Sequence, residues 1–510
     1  TKRSIRGVMS ATTSQTHNGP RTYGNWTRPK SPGLLGLGAI GTVVLFVGAG
    51  ITIIVSIIGG LLAGFVVAVA TIGFLLLIAL RDKHGQSTLA RTATRFGWAN
   101  TRARRKNIYR SGPLGRADWG TMQLPGLAAA SRLVEYKDSY NRPFAMIHVP
   151  STGDFTIVIG SEPDGSSLVD REQVDIWVAE WGMWLANVAD EPGLEAVSVT
   201  IETAPDTGLR LQRMIQNGIV DDAPQFAKEL LTEIQGSYPS GAAVVRAYIA
   251  LTFNAAARSG GRKRSADEMG RELASRVPGL TLGLSSTGAG AVHPLSAQEL
   301  CEVIRVAYDP AAAVLIDEAN AAGEPPELYW PEVGPTAHQA TWDSYRHDSA
   351  TSVTWMMSTA PRGNVPSSIL ARLLAPHRDI ARKRVTLLYR PIDAARAAAI
   401  VEADVRAASF NLSASDRPSA RNVASTRAAF ATAAEEASGA GLVNFGMLIT
   451  ATVTDRSREQ DARAAIDNLS ATARLRVRLV HGSQDSAFAA ALPLGLVLPK
   501  HLQVPAEVRG

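Results

Sequence analysis

The sequence predicts an α+β protein in which a two-helix transmembrane hairpin precedes a cytoplasmic α/β domain with ferredoxin-like β-α-β units. Three observations predict it: a long run without charge near the N-terminus, cationic segments on both sides of that run, and strand-like and helix-like patterns alternating over the rest of the 510 residues.

Residues 33–80 are 48 residues with no Asp, Glu, Lys, Arg or His. One crossing needs roughly 20 apolar residues, so this run suffices for two. The break falls at Ile57-Ile58-Gly59-Gly60-Leu61, where Gly59 and Gly60 form the hairpin turn between helices at about 34–57 and 61–80. Gly60-x-x-x-Gly64, with Gly36, Gly41, Gly48 and Gly50, either lets the two helices touch or reflects the frequency of glycine in membrane helices. A cleaved signal peptide has an apolar region of roughly 7–15 residues, and this run is too long and starts too late.

Lys2, Arg3, Arg6, Arg21, Arg28 and Lys30 precede the run with no acidic residue. Ten Lys/Arg follow it over 81–116 against the single Asp82. Lys and Arg near membrane helices stay on the cytoplasmic side, so both flanks and both termini are expected there, in a two-span protein of the cell membrane. The flanks carry +6 and +9 of an overall +6, which leaves −9 for residues 117–510. The pI of about 9.4 therefore reports juxtamembrane cations. Arg102, Arg104, Arg105 and Lys106, the densest cluster, are expected to meet anionic lipid head groups, and direct nucleic-acid binding is not expected.

A single cysteine excludes an intramolecular disulfide and a Cys-based zinc site. Cys301 lies on an amphipathic helix opened by the capping box Ser296-x-x-Glu299 and reads as a small buried residue.

The organisation follows in order. A basic tail (1–32), the hairpin (33–80) and a basic juxtamembrane linker (81–120) with a turn-rich hinge at 110–116 lead into two α+β subdomains (121–325 and 326–500) and a short tail (501–510). Pro325, Pro326, Pro331 and Pro335 mark the boundary. In the first subdomain, strands at 143–149 and 155–159 form a hairpin, and a helix at 170–188 and a strand at 196–201 complete a β-β-α-β unit. Trp177, Trp181 and Trp184 line one face of that helix as a core stripe. A helix at 223–235, a strand at 243–253, capped helices from Ser265 and Ser296, and a helix at 311–322 follow. The second subdomain repeats the alternation: strand 352–357, helix from 365, strand 384–389, helices 393–409 and 417–438, strand 445–453, helix 457–473, strand 475–480, and a short helix from Asp485. Nothing repeats closely enough for a solenoid.

Catalytic patterns are not found. The sequence has no G-x-x-x-x-G-K-[ST], no H-E-x-x-H and no G-x-S-x-G. Thr287-Gly-Ala-Gly-Ala291 lacks the preceding strand and third glycine of a dinucleotide fingerprint, and Gly260-Gly-Arg-Lys-Arg264 reads as a turn into a capped helix. Tyr345-Arg-His347-Asp348 reads as structural, because strand neighbours point to opposite faces. No catalytic, cofactor or metal residues are assigned, and none of those groups is expected.

Phe445–Val453, the helix after it, and Gly482-Ser-Gln-Asp-Ser-Ala-Phe488-Ala-Ala-Ala-Leu492-Pro493-Leu-Gly495 resemble the end of the non-motor half of the large ATPase of type IV secretion and conjugation systems. In that family a Gln precedes a Phe and a Leu-Pro at similar spacing, and the nucleotide-binding motor follows. The hairpin resembles a two-helix membrane protein that neighbours this ATPase and is sometimes fused to it. Over nearly its whole length the chain also resembles membrane proteins of actinobacterial integrative and conjugative elements, through Arg21-Thr-Tyr-Gly-Asn-Trp26, Arg110–Arg116, Glu202-Thr-Ala-Pro-Asp-Thr-Gly208 and Ala381–Pro391. The resemblance implies a non-enzymatic, membrane-anchored platform for a separate ATPase motor, with membrane lipids, that ATPase and other membrane subunits as partners, in a homo- or hetero-oligomer. It implies that Gln484, Asp485, Phe488, Leu492 and Pro493 dock the motor; Phe488 and Leu492 fall at i and i+4 on one face of a short helix and either fill the core or form part of the contact surface, with burial of Phe488 and exposure of Gln484 and Asp485 expected. The alternatives are a core component of the type VII secretion apparatus, which also pairs two membrane helices with a cytoplasmic domain, and a membrane enzyme whose catalytic residues the sequence does not reveal.

Overall fold

The computed structural model describes residues 22–24, 38–80, 82, 84–112, 115, 122–163, 165, 168–205, 215, 218–220, 222–237, 243–256, 263–361, 363–414, 419–439 and 441–501. Before the apolar run, Thr22–Tyr23 forms a short strand, β1. The run itself is helical over Gly38–Ala79 (α1), since an uncharged chain of this composition satisfies its peptide groups internally. Its stretch Gly41–Ala79 is long and apolar enough to cross a membrane, and Ile58 and Leu61 are 82% and 86% exposed. Helical geometry fails at Gly60, where φ is 83° and ψ is 167°, a backbone open to glycine and costly for other residues. A Cβ added to Gly48 would lie 3.3 Å from Thr71 Cβ, and one on Gly64 would lie 3.1 Å from Ser56 Cα. Residues before Gly60 thus touch residues after it.

The segment read as a basic linker contains ordered structure. Helix α2 (Thr88–Ala103) starts at Ser87, whose hydroxyl accepts from the Ala90 N–H, and the Thr88 hydroxyl donates to Leu77 O at 2.6 Å. Strand β2 (Ile108–Arg110) follows, placing Arg110 in the sheet and not in a hinge.

The first half contains β3 (Arg132–Lys137), β4 (Pro143–Val149), β5 (Asp154–Glu162), α3 (Arg171–Ala189), β6 (Leu194–Pro205), α4 (Gln225–Ser237), β7 (Ala243–Asn254), α5 (Ala266–Leu282), β8 (Ala291–Pro294), α6 (Ala297–Tyr308) and α7 (Ala312–Ala322). The second contains β9 (Ala337–Ala340), β10 (Tyr345–His347), β11 (Ala350–Thr359), β12 (Val365–Pro366), α8 (Ala371–Leu374), β13 (Arg382–Pro391), α9 (Ala394–Ser413), α10 (Ala420–Ala437), β14 (Val443–Val453), α11 (Glu459–Thr472), β15 (Arg476–Leu479) and α12 (Gln484–Ala490). The helix expected from 365 is thus the pair residue strand β12, a 3-10 turn and the four-residue α8.

Among the described residues, thirteen strands form one sheet in the order β2-β9-β10-β11-β14-β13-β6-β7-β5-β4-β3, with β15 on β11 and β8 on β5. Its pairings are antiparallel. The halves trace the same path. In one, β5-α3-β6-β7-α5-β8 gives the strand order β8-β5-β7-β6; in the other, β11-α8-β13-β14-α11-β15 gives β15-β11-β14-β13. Each carries a helical insertion at the same point, α4 between β6 and β7, and α9 with α10 between β13 and β14. The equivalent strands β6 and β13 join the halves edge to edge, with Val199 opposite Leu387. The proline-rich boundary near 325 therefore separates two passes of one topology within a single sheet.

One face of the sheet is apolar and covered by helices. Ile157, Val197, Ile249 and Leu251 pack with Leu273 and Val277 of α5 and Trp184 of α3. Val353, Trp355, Val385 and Ile449 pack with Leu373 of α8 and Ile466 of α11. The tryptophan stripe belongs to this layer: Trp181 and Trp184 stack at 4.9 Å, and Trp184 Nε1 donates to Leu280 O at 3.3 Å. Cys301 is 1% exposed inside the other core layer, and burial pushes its thiol up to about 12.

Candidate functional site

The opposite face of the central strands carries hydroxyls. Thr156 and Thr252 pair through their Oγ1 atoms at 3.0 Å, Thr200 and Thr386 at 3.2 Å, and Thr354 and Thr450 at 3.0 Å. Adjacent strand residues point to opposite faces, so threonines at every second position of otherwise apolar strands, such as Ile449-Thr450-Ala451-Thr452, build a polar band on one side. That band is closed by the last described segment. The Thr252 hydroxyl donates to Gly495 O at 3.0 Å, and the Thr386 hydroxyl donates to Ala491 O at 2.8 Å. At Gly495 φ is +64°, and an added Cβ would collide with the hydroxyls of Thr156 and Thr252. The alternating threonines were the sequence signal for this surface.

The expected docking residues lie inside this closure. Gln484 is fully buried, which overturns the expectation that it is exposed. Its Oε1 accepts from the Thr354 N–H at 2.8 Å, and its Nε2 donates to Thr354 O at 3.1 Å and to Val480 O at 2.8 Å. Asp485 is half-buried, and burial raises its carboxyl above the usual range. Phe488 is fully buried, as expected, among Tyr308, Tyr345 and His347 at ring separations of 5.2, 5.1 and 4.7 Å. Leu492 and Pro493 are buried beside it. The physical reason is shared: a short helix crossing a sheet presents its i and i+4 residues downward, and its amide side chain finds the strand backbone before it finds solvent.

Charged groups sit under the same segment. Glu202 accepts from Arg382 Nη2 at 2.5 Å and from Arg384 Nε at 2.9 Å. Burial alone would raise the Glu202 carboxyl, but the two guanidiniums override it and hold it at about 2. Arg384 lies 5.3 Å from the Phe488 ring, and its Nη1 has no hydrogen-bond partner among the described residues. His347 places Nδ1 2.5 Å from Tyr308 O and Nε2 2.8 Å from Ser352 Oγ, and burial lowers it to about 4. Neutral His347 therefore serves as a structural link, while Asp348, expected in the same strand, lies past the end of β10 at φ +34°.

Two further features lie at the surface. An open groove of about 540 Å³ runs between the 372–379 segment and α11, lined by Arg372, His377, Arg378, Asp379, Asp461 and Asn468. The basic cluster Arg102, Arg104, Arg105 and Lys106 is exposed at the end of α2. Gly60 is the helix interruption in α1, with Gly59 immediately before it. Among the described residues, no group of three or more His, Cys, Asp or Glu is placed to hold a metal ion.

Fold and site together define an α+β protein with a long apolar helical segment ahead of one large antiparallel sheet. Residues 30–90, the apolar segment and its flanks, match the family described as Domain of unknown function (DUF8461). No curated protein matches the chain.

Proposed function

We propose that this protein is a membrane-anchored, non-enzymatic component of a type IV-like secretion or conjugative DNA-transfer apparatus, and that its sheet domain is the platform for a separate ATPase motor. In this reading α1 is a hairpin of two spans turning at Gly60, and the two β-α-β-β-α-β passes are ferredoxin-like units. One observation supports this topology. β1, before the apolar segment, pairs with β12, after it, at Thr22↔Pro366 and Tyr23↔Val365, and the Tyr23 hydroxyl donates to Asp175 Oδ1 at 2.8 Å. If the apolar segment enters a bilayer, flanks that pair with each other favour an even number of crossings. The cationic flanks favour the cytoplasm for both.

The motor-platform role rests on the resemblance of residues 445–495 to the segment upstream of the secretion motor. Because Gln484, Phe488, Leu492 and Pro493 are buried and Asp485 is half-buried, a motor would engage the surface around this closure and not those buried side chains. The type VII alternative shares the anchor and domain layout.

The test is capture of the ATPase encoded beside this protein on the full-length chain, in the lipid-embedded state, together with reporter fusions at Thr22, Gly60 and Gln123. The expected result is retention of an ATPase carrying a Walker motif, cytoplasmic signals at Thr22 and Gln123, and an external one at Gly60. The purified protein alone is expected to hydrolyse no ATP. Robust intrinsic hydrolysis, or flanks on opposite sides, would overturn the reading.

A further inference from the structure

The helix that follows the apolar segment lies across the strand ends on one edge of the sheet. At its start, His84 Nδ1 is 3.3 Å from Ser358 Oγ at the end of β11. Past its end, the Asn107 side chain donates to Ala340 O, at the end of β9, at 3.1 Å. Between them, Trp98 packs 6.2 Å from Trp342 in the β9–β10 turn, and Gly482 lies against both tryptophans. The 16 residues of α2 therefore span about 24 Å along the sheet edge, held on one side by protein.

The other side is open. Arg91, Arg95, Phe96, Ala99 and Arg102 are all exposed; Phe96, 77% exposed, lies about 160° around the helix from Trp98, and the three arginines run along the flank that borders the packed side. No acidic residue occurs between Asp82 and Asp118, so nothing in this stretch offsets the cations of α2 or of Arg104, Arg105 and Lys106 after it. The helix also begins at the mouth of the apolar segment: the Thr88 N–H donates to Leu80 O at 3.1 Å, and its hydroxyl to Leu77 O. An exposed aromatic flanked by arginines, on a helix tied to the last turn of a membrane-length segment, matches the chemistry of a bilayer surface with anionic head groups.

We infer that α2 lies in the plane of the membrane, with Phe96 in the head-group region and its arginines on anionic lipid phosphates, and seats the sheet edge on the bilayer through Trp98. This rests on the membrane reading of α1 and names what covers the face that the sheet leaves free. It also links the lipid surface to the C-terminal closure, because the Trp98–Trp342 pair carries Gly482, two residues before Gln484.

The test uses full-length protein in lipid nanodiscs. Cys301 is buried, so a fluorophore on Phe96→Cys reports that position alone, and Leu315→Cys on α7, exposed at 69% and near the opposite end of β11, is the water-facing reference. Spin-labelled lipids in discs containing phosphatidylglycerol should quench the label at 96 several-fold more than the label at 315. Arg91→Gln, Arg95→Gln and Arg102→Gln together, or high salt, should reduce that difference. Equal quenching at 96 and 315, with the protein still retained in the disc, overturns this inference and leaves the anchor intact. Loss of the protein from the disc overturns the membrane reading itself.

Discussion

The Gln484 side chain pairs with the Thr354 peptide as a strand would, accepting from its N–H at 2.8 Å and donating to its carbonyl at 3.1 Å, so that α12 is clipped to the centre of β11. Gln484→Ala leaves the Thr354 N–H buried without a partner, while Thr354 O keeps the Val480 N–H at 3.1 Å. With an unsatisfied buried group costing about 1–3 kcal/mol, a loss in that range is expected in denaturant unfolding of the detergent-solubilised protein. An unchanged midpoint would show that the clip contributes nothing. Gln484→Lys should unfold the closure, and so cannot probe a docking surface.

Gly495→Ala is expected to lower stability by more than the few tenths of a kcal/mol typical of surface changes. The new methyl meets two threonine hydroxyls at a positive φ. Thr252→Val, which removes the bonds to Gly495 O and to Thr156 Oγ1 without adding bulk, should cost about 1–3 kcal/mol. Thermal melts of the two variants distinguish the steric effect from the hydrogen bond, and equal small shifts would argue against the close approach.

The Glu202 carboxyl is held in the folded protein at about 2, below its ordinary value, so the stabilisation is present above the ordinary carboxylate range and is lost as pH falls towards 2. Glu202→Gln should remove that part of the acid dependence. It should also destabilise the protein at neutral pH by about 3–5 kcal/mol, because Arg384 stays buried without its counter-ion. Unfolding free energies compared across the acidic range would show parallel wild-type and variant curves if the ion pairs were immaterial.

Gly48→Cys with Thr71→Cys should form a disulfide under mild oxidation in native membranes. The two Cβ positions lie 3.3 Å apart across the Gly60 interruption, whereas a continuous helix would separate these residues by about 34 Å. Absence of the crosslink by gel shift, with the oxidant shown to work on a control pair, would favour a single long helix.

The sequence by itself determined the apolar segment, its cationic flanks and most of the secondary structure, because charge, period and capping boxes are local properties that survive any tertiary arrangement. Ser265 and Ser296 cap their helices as their spacing expected. Val443–Val453 and Arg382–Pro391 are strands for the same reason their alternation is visible. Strands as short as β8–β10, and the helix α2 hidden in an arginine-rich stretch, had too little pattern to be read. Only tertiary structure decided which strands became neighbours. The pairing of β6 with β13 joins residues about 186 positions apart, and it turned two expected subdomains into one sheet. The same long-range packing decided the fate of Gln484. A polar residue at the start of a short helix reads as exposed until the Thr354 peptide of β11 is brought beneath it.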